Sequence, residues 1–264
     1  MLKERIITSI VLLLIITVGL FVLPENGFVI LMLIMLLIAT QEVLKMYKFN
    51  IYFQIVSLSI FLLILLAIYF IKNDISIVIC ILGIISWGLI VPIVLYKQPK
   101  YFSKLIIYIL CIIIFIPAFY SFVIIYKLMG AMQLISIMAV AWISDIGAYF
   151  IGRKFGKHKI APTISPGKSL EGALAGLVLV LLYFTFLKYF NLVSYLNNYI
   201  SVIRFALILT TIGILGDLFE SWLKRIAGVK DSGTILPGHG GVLDRIDSLI
   251  AVITIAFVMI RGLI

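Results

Sequence analysis

The sequence predicts an all-α integral membrane protein with about nine transmembrane helices and two polar loops on the cytoplasmic side. Of the 264 residues, 64% are hydrophobic and only 12% are charged. In soluble domains about 45–50% of the residues are apolar and about 25% are charged. A water-soluble fold of this length could not bury so much apolar surface. The apolar residues also form continuous runs without alternation, which favours helices over a β-barrel.

Nine apolar stretches approach the length of about 20 residues that a helix needs to cross a bilayer. The stretches cover residues 6–23, 27–44, 51–71, 75–96, 105–126, 131–151, 170–190, 202–223 and 248–263. We predict an N-terminal transmembrane scaffold of about five helices over residues 1–130. Residues 131–264 would form a catalytic transmembrane region of about four helices. The first stretch is longer than the apolar core of a signal peptide, so we interpret it as a span.

The distribution of Lys and Arg predicts how the helices are oriented. With the N-terminus in the cytoplasm, sixteen of the 21 Lys and Arg residues lie on the cytoplasmic side and five on the other. This excess is typical of a multi-pass protein of the inner (cytoplasmic) membrane of the cell. The net charge is +10, and the basic residues that produce it lie in short breaks between apolar stretches. We therefore expect contact with anionic lipid headgroups and no nucleic-acid partner.

Seven of the eleven acidic residues lie between residues 145 and 247, and two of them lie on the eighth span. Asp217, Glu220, Ser221 and Lys224 have the spacing that places four side chains on one face of a helix. A carboxylate inside the membrane costs several kcal/mol, so such residues usually face a cavity or a partner. A structural ion pair with Lys224 or Arg225 is the simpler alternative.

The segment that follows this span combines carboxylates, cations and glycines. It contains Lys230, Asp231, Gly233, Pro237, His239, Gly240, Gly241, Asp244, Arg245 and Asp247. Glycines allow backbone N–H groups to approach an anion. The pattern is typical of a divalent cation shared between carboxylates and a polyphosphate, with Lys and Arg on the other phosphate oxygens. For the two aspartates that start the ninth helix, favourable interaction with the helix dipole is the alternative.

A second polar loop, Arg153–Gly172, follows the sixth span. Asp145 lies near the end of that span, and Arg153, Ser165 and Lys168 lie in the loop. An excess of basic residues is expected in any cytoplasmic loop, but it does not explain the glycines, prolines and acids found here. Both polar loops emerge on the same side, so we expect one site at the membrane–water boundary. A soluble polyanion could enter it from the cytoplasm and a lipid headgroup from the bilayer.

The second half of the chain resembles the phosphatidate cytidylyltransferase family. The family signature matches thirteen positions within 27 residues, with every spacing intact. These positions are Ser221, Lys224, Arg225, Lys230, Asp231, Gly233, Pro237, His239, Gly240, Gly241, Asp244, Arg245 and Asp247. The stretch Asp145–Gly172 also resembles the second polar region of the family.

The resemblance implies transfer of CMP from CTP to phosphatidic acid, which yields CDP-diacylglycerol and pyrophosphate for phospholipid biosynthesis. It also implies a requirement for Mg²⁺, a homodimer and contact with membrane lipid, and a second cation is left open. The implied catalytic residues are Asp217, Asp244, Lys224 and His239, and the implied metal ligands are Asp217, Asp244 and Asp247. The implied substrate-binding residues are Ser221, Arg225, Lys230, Asp231, Gly240, Gly241, Arg245, Asp145, Arg153, Ser165 and Lys168.

Direct in-line attack is the mechanism that these residues favour. The attacking group is already an anionic phosphate, so the reaction needs no nucleophile from the protein. What it needs is the alignment of two polyanions and the stabilisation of charge, which cations provide. Two alternatives remain: a membrane transporter with a charged intramembrane pathway, and a CTP-dependent lipid kinase that transfers the γ-phosphate.

Overall fold

The computed structural model describes residues 2–71, 74–99 and 101–264, with side chains from residue 7 onward. Lys72 and Lys100, which contribute to the charge distribution above, lie outside the described residues. The helices are α1 (Leu2–Phe21), α2 (Glu25–Met46), α3 (Ile51–Phe70), α4 (Ser76–Ile84), α5 (Val91–Lys97), α6 (Lys104–Met129), α7 (Ala131–Phe155), α8 (Leu170–Tyr189), α9 (Tyr199–Ala227) and α10 (Leu243–Ile260). A π-helical segment, Ile85–Ile90, joins α4 to α5 in one continuous helix.

Seven helices in the described part of the chain are long and apolar enough to cross a membrane. They are α2, α3, the continuous helix Ser76–Lys97, α6, α7, α8 and α9. Large apolar side chains such as Leu13, Leu63 and Leu182 are more than 60% exposed on the outside of the bundle. Such a surface is unfavourable in water and expected in lipid. The chain is therefore a helical, multi-pass membrane protein.

The first and ninth predicted spans also coincide with helices, but neither is among these seven. For α1, the apolar part with described side chains is the shorter segment Ile7–Phe21. Helix α10 carries three charged residues, Asp244, Arg245 and Asp247, within its 18 residues. The total of nine spans therefore stays a prediction.

Helix α10 is the central helix of the bundle. It packs against α2, α4, α6, α7 and α9. Its middle residues are fully buried, with Ala251, Val252 and Ile253 all at 0% exposure. Because α10 is surrounded, the acidic side chains in its first turns are held at the centre of one end of the bundle.

The polar loop after α7 contains a short β-hairpin that the all-α prediction did not include. Strand β1 (Lys159–Ala161) pairs antiparallel with β2 (Ser165–Ser169). The strands are only three and five residues long and are mostly exposed, so no apolar alternation marks them in the sequence. The Ser169 hydroxyl accepts a hydrogen bond from the Gly172 amide at 3.2 Å and so caps α8. The hairpin thus leads directly into α8.

Helices α7 and α8 approach each other through small residues. A Cβ atom at Gly176 would lie 2.8 Å from the backbone oxygen of Ser144, and one at Gly147 would lie 3.0 Å from the Cα of Gly176. Small residues at helix interfaces allow close packing in membranes, where the hydrophobic effect does not drive helices together. This contact fixes the two helices that flank the hairpin.

Candidate active site

Three carboxylates converge where α9 meets α10. Asp217 and Glu220 lie one turn apart on α9, and Asp247 faces them from α10. Their oxygen atoms lie within 4.8 Å of one another. Among the described residues, Glu220 Oε1 is buried and has no hydrogen-bond partner. Hard oxygen ligands in this arrangement suit a divalent cation such as Mg²⁺.

A small cavity of about 20 Å³ adjoins two of these carboxylates. Glu220 and Asp247 line it together with Gly216 and Trp87. Trp87 comes from the π-helical segment and packs edge-on against Phe219, with 6.3 Å between ring centroids. The carboxylates therefore lie between an apolar floor and the polar loops.

Lys224 connects this group to Asp244. Its Nζ atom lies 2.5 Å from Glu220 Oε2 and 2.7 Å from Asp244 Oδ1. The side chains of these three residues are only 15%, 3% and 6% exposed. The ion pair considered above as the simpler alternative thus exists between Glu220 and Lys224, whereas Asp217 has a different partner.

Asp244 lies outside the group of three carboxylates and organises the glycine-rich loop. Its Oδ2 atom accepts hydrogen bonds from the Ser232 amide and hydroxyl, both at 2.9 Å, and from the Gly241 amide at 2.8 Å. Burial by itself raises the pKa of Asp244. The hydrogen bonds from Lys224 and from the Gly241 and Ser232 amides outweigh burial and hold that pKa below its usual value. Asp244 is therefore a carboxylate at neutral pH.

The two polar loops meet at this end of the bundle. Lys168 of β2 pairs with Asp217, with 2.5 Å between Nζ and Oδ2. Ser221 donates a hydrogen bond of 3.3 Å to the other oxygen of Asp217. Arg225 donates through Nε to the backbone oxygen of Ile164, at 3.1 Å. The hairpin thus brings one predicted substrate-binding lysine directly to the carboxylates.

Other predicted residues surround this centre. Asp145 on α7 lies within electrostatic range of Asp217, Lys168 and Arg245. Arg245 donates two hydrogen bonds to the backbone oxygen of His239, at 3.2 and 2.8 Å. The His239 ring lies 3.4 Å from the Ser9 hydroxyl of α1, through Nε2.

The remaining predicted residues have more peripheral positions. Arg153 is exposed and donates a hydrogen bond of 2.9 Å to the Tyr149 hydroxyl on its own helix. Lys230 and Asp231 are exposed in the loop before α10, and Ser165 begins β2. Gly240 has a φ of +84°, a conformation that favours glycine.

One residue of the site, Glu42 on α2, was missed in the sequence analysis. Its side chain is 2% exposed. It accepts hydrogen bonds from the Val242 amide at 2.9 Å, the Leu243 amide at 2.8 Å and the Ser232 hydroxyl at 3.1 Å. The only signal in the sequence was a single acid inside an apolar stretch assigned to the scaffold.

Fold and site together define a multi-pass membrane protein with a carboxylate centre flanked by lysines. A model of the Cytidylyltransferase family matches residues 3–263, and the chain belongs to this family.

Curated relatives of the chain include three bacterial phosphatidate cytidylyltransferases. The chain is 49% identical over 127 residues to that of Haemophilus influenzae, 39% over 179 residues to that of Thermotoga maritima and 46% over 121 residues to that of Staphylococcus haemolyticus. These matches cover 47%, 66% and 46% of this chain, and 44%, 66% and 46% of the relatives. The chain thus spans about half to two thirds of the length of the curated relatives it matches.

Proposed function

We propose that the chain transfers CMP from CTP to phosphatidic acid, producing CDP-diacylglycerol and pyrophosphate. The observation that carries this proposal is the group of Asp217, Glu220 and Asp247, with Lys168 and Lys224 bound to two of its members. Carboxylates suit a metal that binds phosphates, and lysines suit the phosphates themselves. The names of the relatives, together with the family to which the chain belongs, support CTP and phosphatidate as the substrates.

Asp217, Glu220 and Asp247 would hold Mg²⁺, with a second cation left open. When bound, Mg²⁺ would neutralise charge on the phosphates and stabilise the departing pyrophosphate. Asp244 remains a predicted ligand, but Oδ1 accepts from Lys224 and Oδ2 accepts three further hydrogen bonds. Glu220 Oε1 has no hydrogen-bond partner within the described part of the chain, which makes Glu220 the better third ligand.

The side chains of the protein perform binding and alignment. A phosphate oxygen of phosphatidic acid attacks the α-phosphorus of CTP. The bond from that phosphorus to the oxygen shared with the β-phosphate breaks, and pyrophosphate leaves with that oxygen. Lys168 and Lys224, which lie beside Asp217 and Glu220, would bind phosphate oxygens of the substrates. Arg225, Lys230 and Arg245 would add positive charge around the same anions. Direct in-line attack predicts inversion at the α-phosphorus.

The proposed location is the bacterial cytoplasmic membrane, with the site facing the cytoplasm. The distribution of Lys and Arg along the sequence supports this orientation. A lipid substrate could then enter from the bilayer while CTP enters from the cytoplasm. The resemblance to the family also supports a homodimer.

An assay of the purified protein with labelled CTP tests the proposal. With phosphatidic acid in mixed micelles and Mg²⁺, we expect label at the α-phosphate to enter the lipid product and label at the γ-phosphate to leave in pyrophosphate. Reactions with EDTA or without phosphatidic acid are the controls. Label from the γ-phosphate in the lipid would support the kinase instead. Absence of any lipid product, with uptake of solute into liposomes, would support the transporter.

A further inference from the structure

Helix α10 begins without a capping side chain of its own. Its N-cap residue is Val242, which has no side-chain acceptor and makes no cap hydrogen bond. The first N–H groups of a helix have no partner inside it and need acceptors from elsewhere. Here the Val242 and Leu243 amides donate to the two carboxylate oxygens of Glu42, at 2.9 and 2.8 Å. The cap of α10 therefore comes from α2, about 200 residues earlier in the chain.

Two glycines of the loop before α10 provide the space that Glu42 occupies. A Cβ atom at Gly233 or at Gly241 would lie 2.6 Å from Glu42 Oε1. Neither glycine is among those with positive φ, so space rather than backbone conformation explains why glycine stands there. From the sequence alone, such glycines are expected to allow close approach of a ligand. In the structure these two lie directly against a buried carboxylate of the protein.

A chain of contacts leads from Glu42 to the three carboxylates. The Ser232 hydroxyl lies 3.1 Å from Glu42 Oε2 and 2.9 Å from Asp244 Oδ2. Asp244 in turn contacts Lys224, and Lys224 contacts Glu220. One end of α2, the loop and the first turn of α10 are thereby held in a single arrangement.

We infer that Glu42 is a positioning residue: it caps α10 and holds the glycine-rich loop so that Asp244 keeps Lys224 in place to bind the nucleotide. The expected effect of Glu42 on CTP binding rests on the proposed function. Its capping of α10 does not. Glu42 touches the loop and the helix start, and it acts on the reaction only through them. It also extends the site into the N-terminal half of the chain.

Glu42→Gln tests the structural part of this inference in the full-length protein in detergent. Glutamine has the same shape, but its NH₂ group faces an amide donor where the carboxylate had an acceptor. We expect hydrogen exchange in the peptide containing Val242 and Leu243 to become at least about tenfold faster, which corresponds to about 1.4 kcal/mol. Glu25→Gln is the matched control, because Glu25 is the other glutamate of α2 and forms an exposed pair with Lys127. Unchanged protection in Glu42→Gln would overturn the inference.

Kinetics test the consequence for the site. We expect the KM for CTP to rise about tenfold in Glu42→Gln, the loss expected from one hydrogen bond to a charged group. The KM for phosphatidic acid should change less than twofold, and Glu25→Gln should behave like the unmodified chain. Faster exchange with an unchanged KM for CTP would overturn the positioning role.

A milder variant covers the case in which Glu42→Gln does not fold. Ser232→Ala removes the hydroxyl between Glu42 and Asp244. It leaves intact the two hydrogen bonds that the Val242 and Leu243 amides donate to Glu42. We expect the KM for CTP to rise in this variant too, but less than in Glu42→Gln. An unchanged KM would again overturn the positioning role. If the unmodified chain forms no CDP-diacylglycerol, the proposed function fails, whereas hydrogen exchange still decides whether Glu42 caps α10.

Discussion

Lys224 forms ion pairs with two buried carboxylates. It lies between Glu220 and Asp244, and all three side chains are at most 15% exposed. Removing one partner from a buried ion pair leaves an uncompensated charge, which costs about 3–5 kcal/mol. The same lysine would bind a phosphate of CTP, so stability and catalysis depend on a single side chain.

Replacing Lys224 with alanine should therefore lower both stability and activity. We expect the free energy of unfolding to fall by about 3–5 kcal/mol, visible as a lower Tm in detergent. Lys127→Ala is the matched control. Its pair with Glu25 spans 3.2 Å, and the two side chains are 51% and 41% exposed, so its loss should cost at most about 1 kcal/mol. Equal shifts in the two variants would contradict the importance of the buried pair.

The site residues that could be predicted from the sequence are those that lie about one helical turn apart in the same helix. Asp217 and Glu220 share a face of α9, so their proximity follows from helical geometry alone. Glu42 could not be predicted, because its partners Val242 and Leu243 are brought to it only by packing of α2 against α10. No local pattern in the sequence records that contact.

At the scale of elements, the contact between α7 and α8 determines where the hairpin lies. Gly147 and Gly176 allow these two helices to approach, and the hairpin between them delivers Lys168 to Asp217. Any side chain at this crossing would push the helices apart. The position of Lys168 therefore depends on residues that lie outside the group of carboxylates.

Gly176→Ala tests this dependence. Alanine favours a helix over glycine by about 1 kcal/mol, but here its Cβ would lie 2.8 Å from both the backbone oxygen and the hydroxyl of Ser144. We expect a net loss of about 1–3 kcal/mol of stability and reduced activity, measured by Tm and turnover. Gly88→Ala is the control, since its Cβ would meet only Ile84 Cγ2 at 3.9 Å. If Gly176→Ala were as stable as Gly88→Ala, the close crossing would not matter.

Helix positions followed from the sequence better than irregular elements did. Each predicted apolar stretch coincides with a helix because the length of an apolar run is a strong signal. The ends of the apolar spans were less well predicted: α9 extends to Ala227, beyond the predicted end at residue 223, and α10 begins at Leu243, before the predicted span 248–263. The two aspartates were nevertheless expected at the start of this last helix. The hairpin and the π-helical segment were missed, since both depend on neighbouring structure rather than on composition.

For the whole molecule, the structure places α10 at the centre and both polar loops at one end. The predicted division at residue 130 separates a scaffold from a catalytic region. Glu42 of α2 nevertheless reaches the loop of the second region. Charge distribution along the sequence predicts that this end faces the cytoplasm, and the prediction can be tested directly.

Cysteine labelling in oriented vesicles tests the predicted orientation. Thr234 is exposed in the loop before α10, and Asn197 is exposed between α8 and α9. A membrane-impermeant maleimide should label Thr234→Cys in inside-out vesicles and Asn197→Cys in right-side-out vesicles. The native Cys80 and Cys111 are buried, so the unmodified chain serves as the unlabelled control. The opposite labelling pattern would reverse the orientation.

The central claim is that carboxylates from α9 and α10 together bind the divalent cation that CMP transfer requires. Binding of Mn²⁺, measured by electron paramagnetic resonance on the purified protein, tests this most directly because it does not depend on turnover. We expect Asp217→Asn and Asp247→Asn each to weaken Mn²⁺ binding at least about tenfold, or about 1.4 kcal/mol. Glu25→Gln should bind as the unmodified chain does. Unchanged Mn²⁺ affinity in folded Asp217→Asn and Asp247→Asn proteins would contradict the claim.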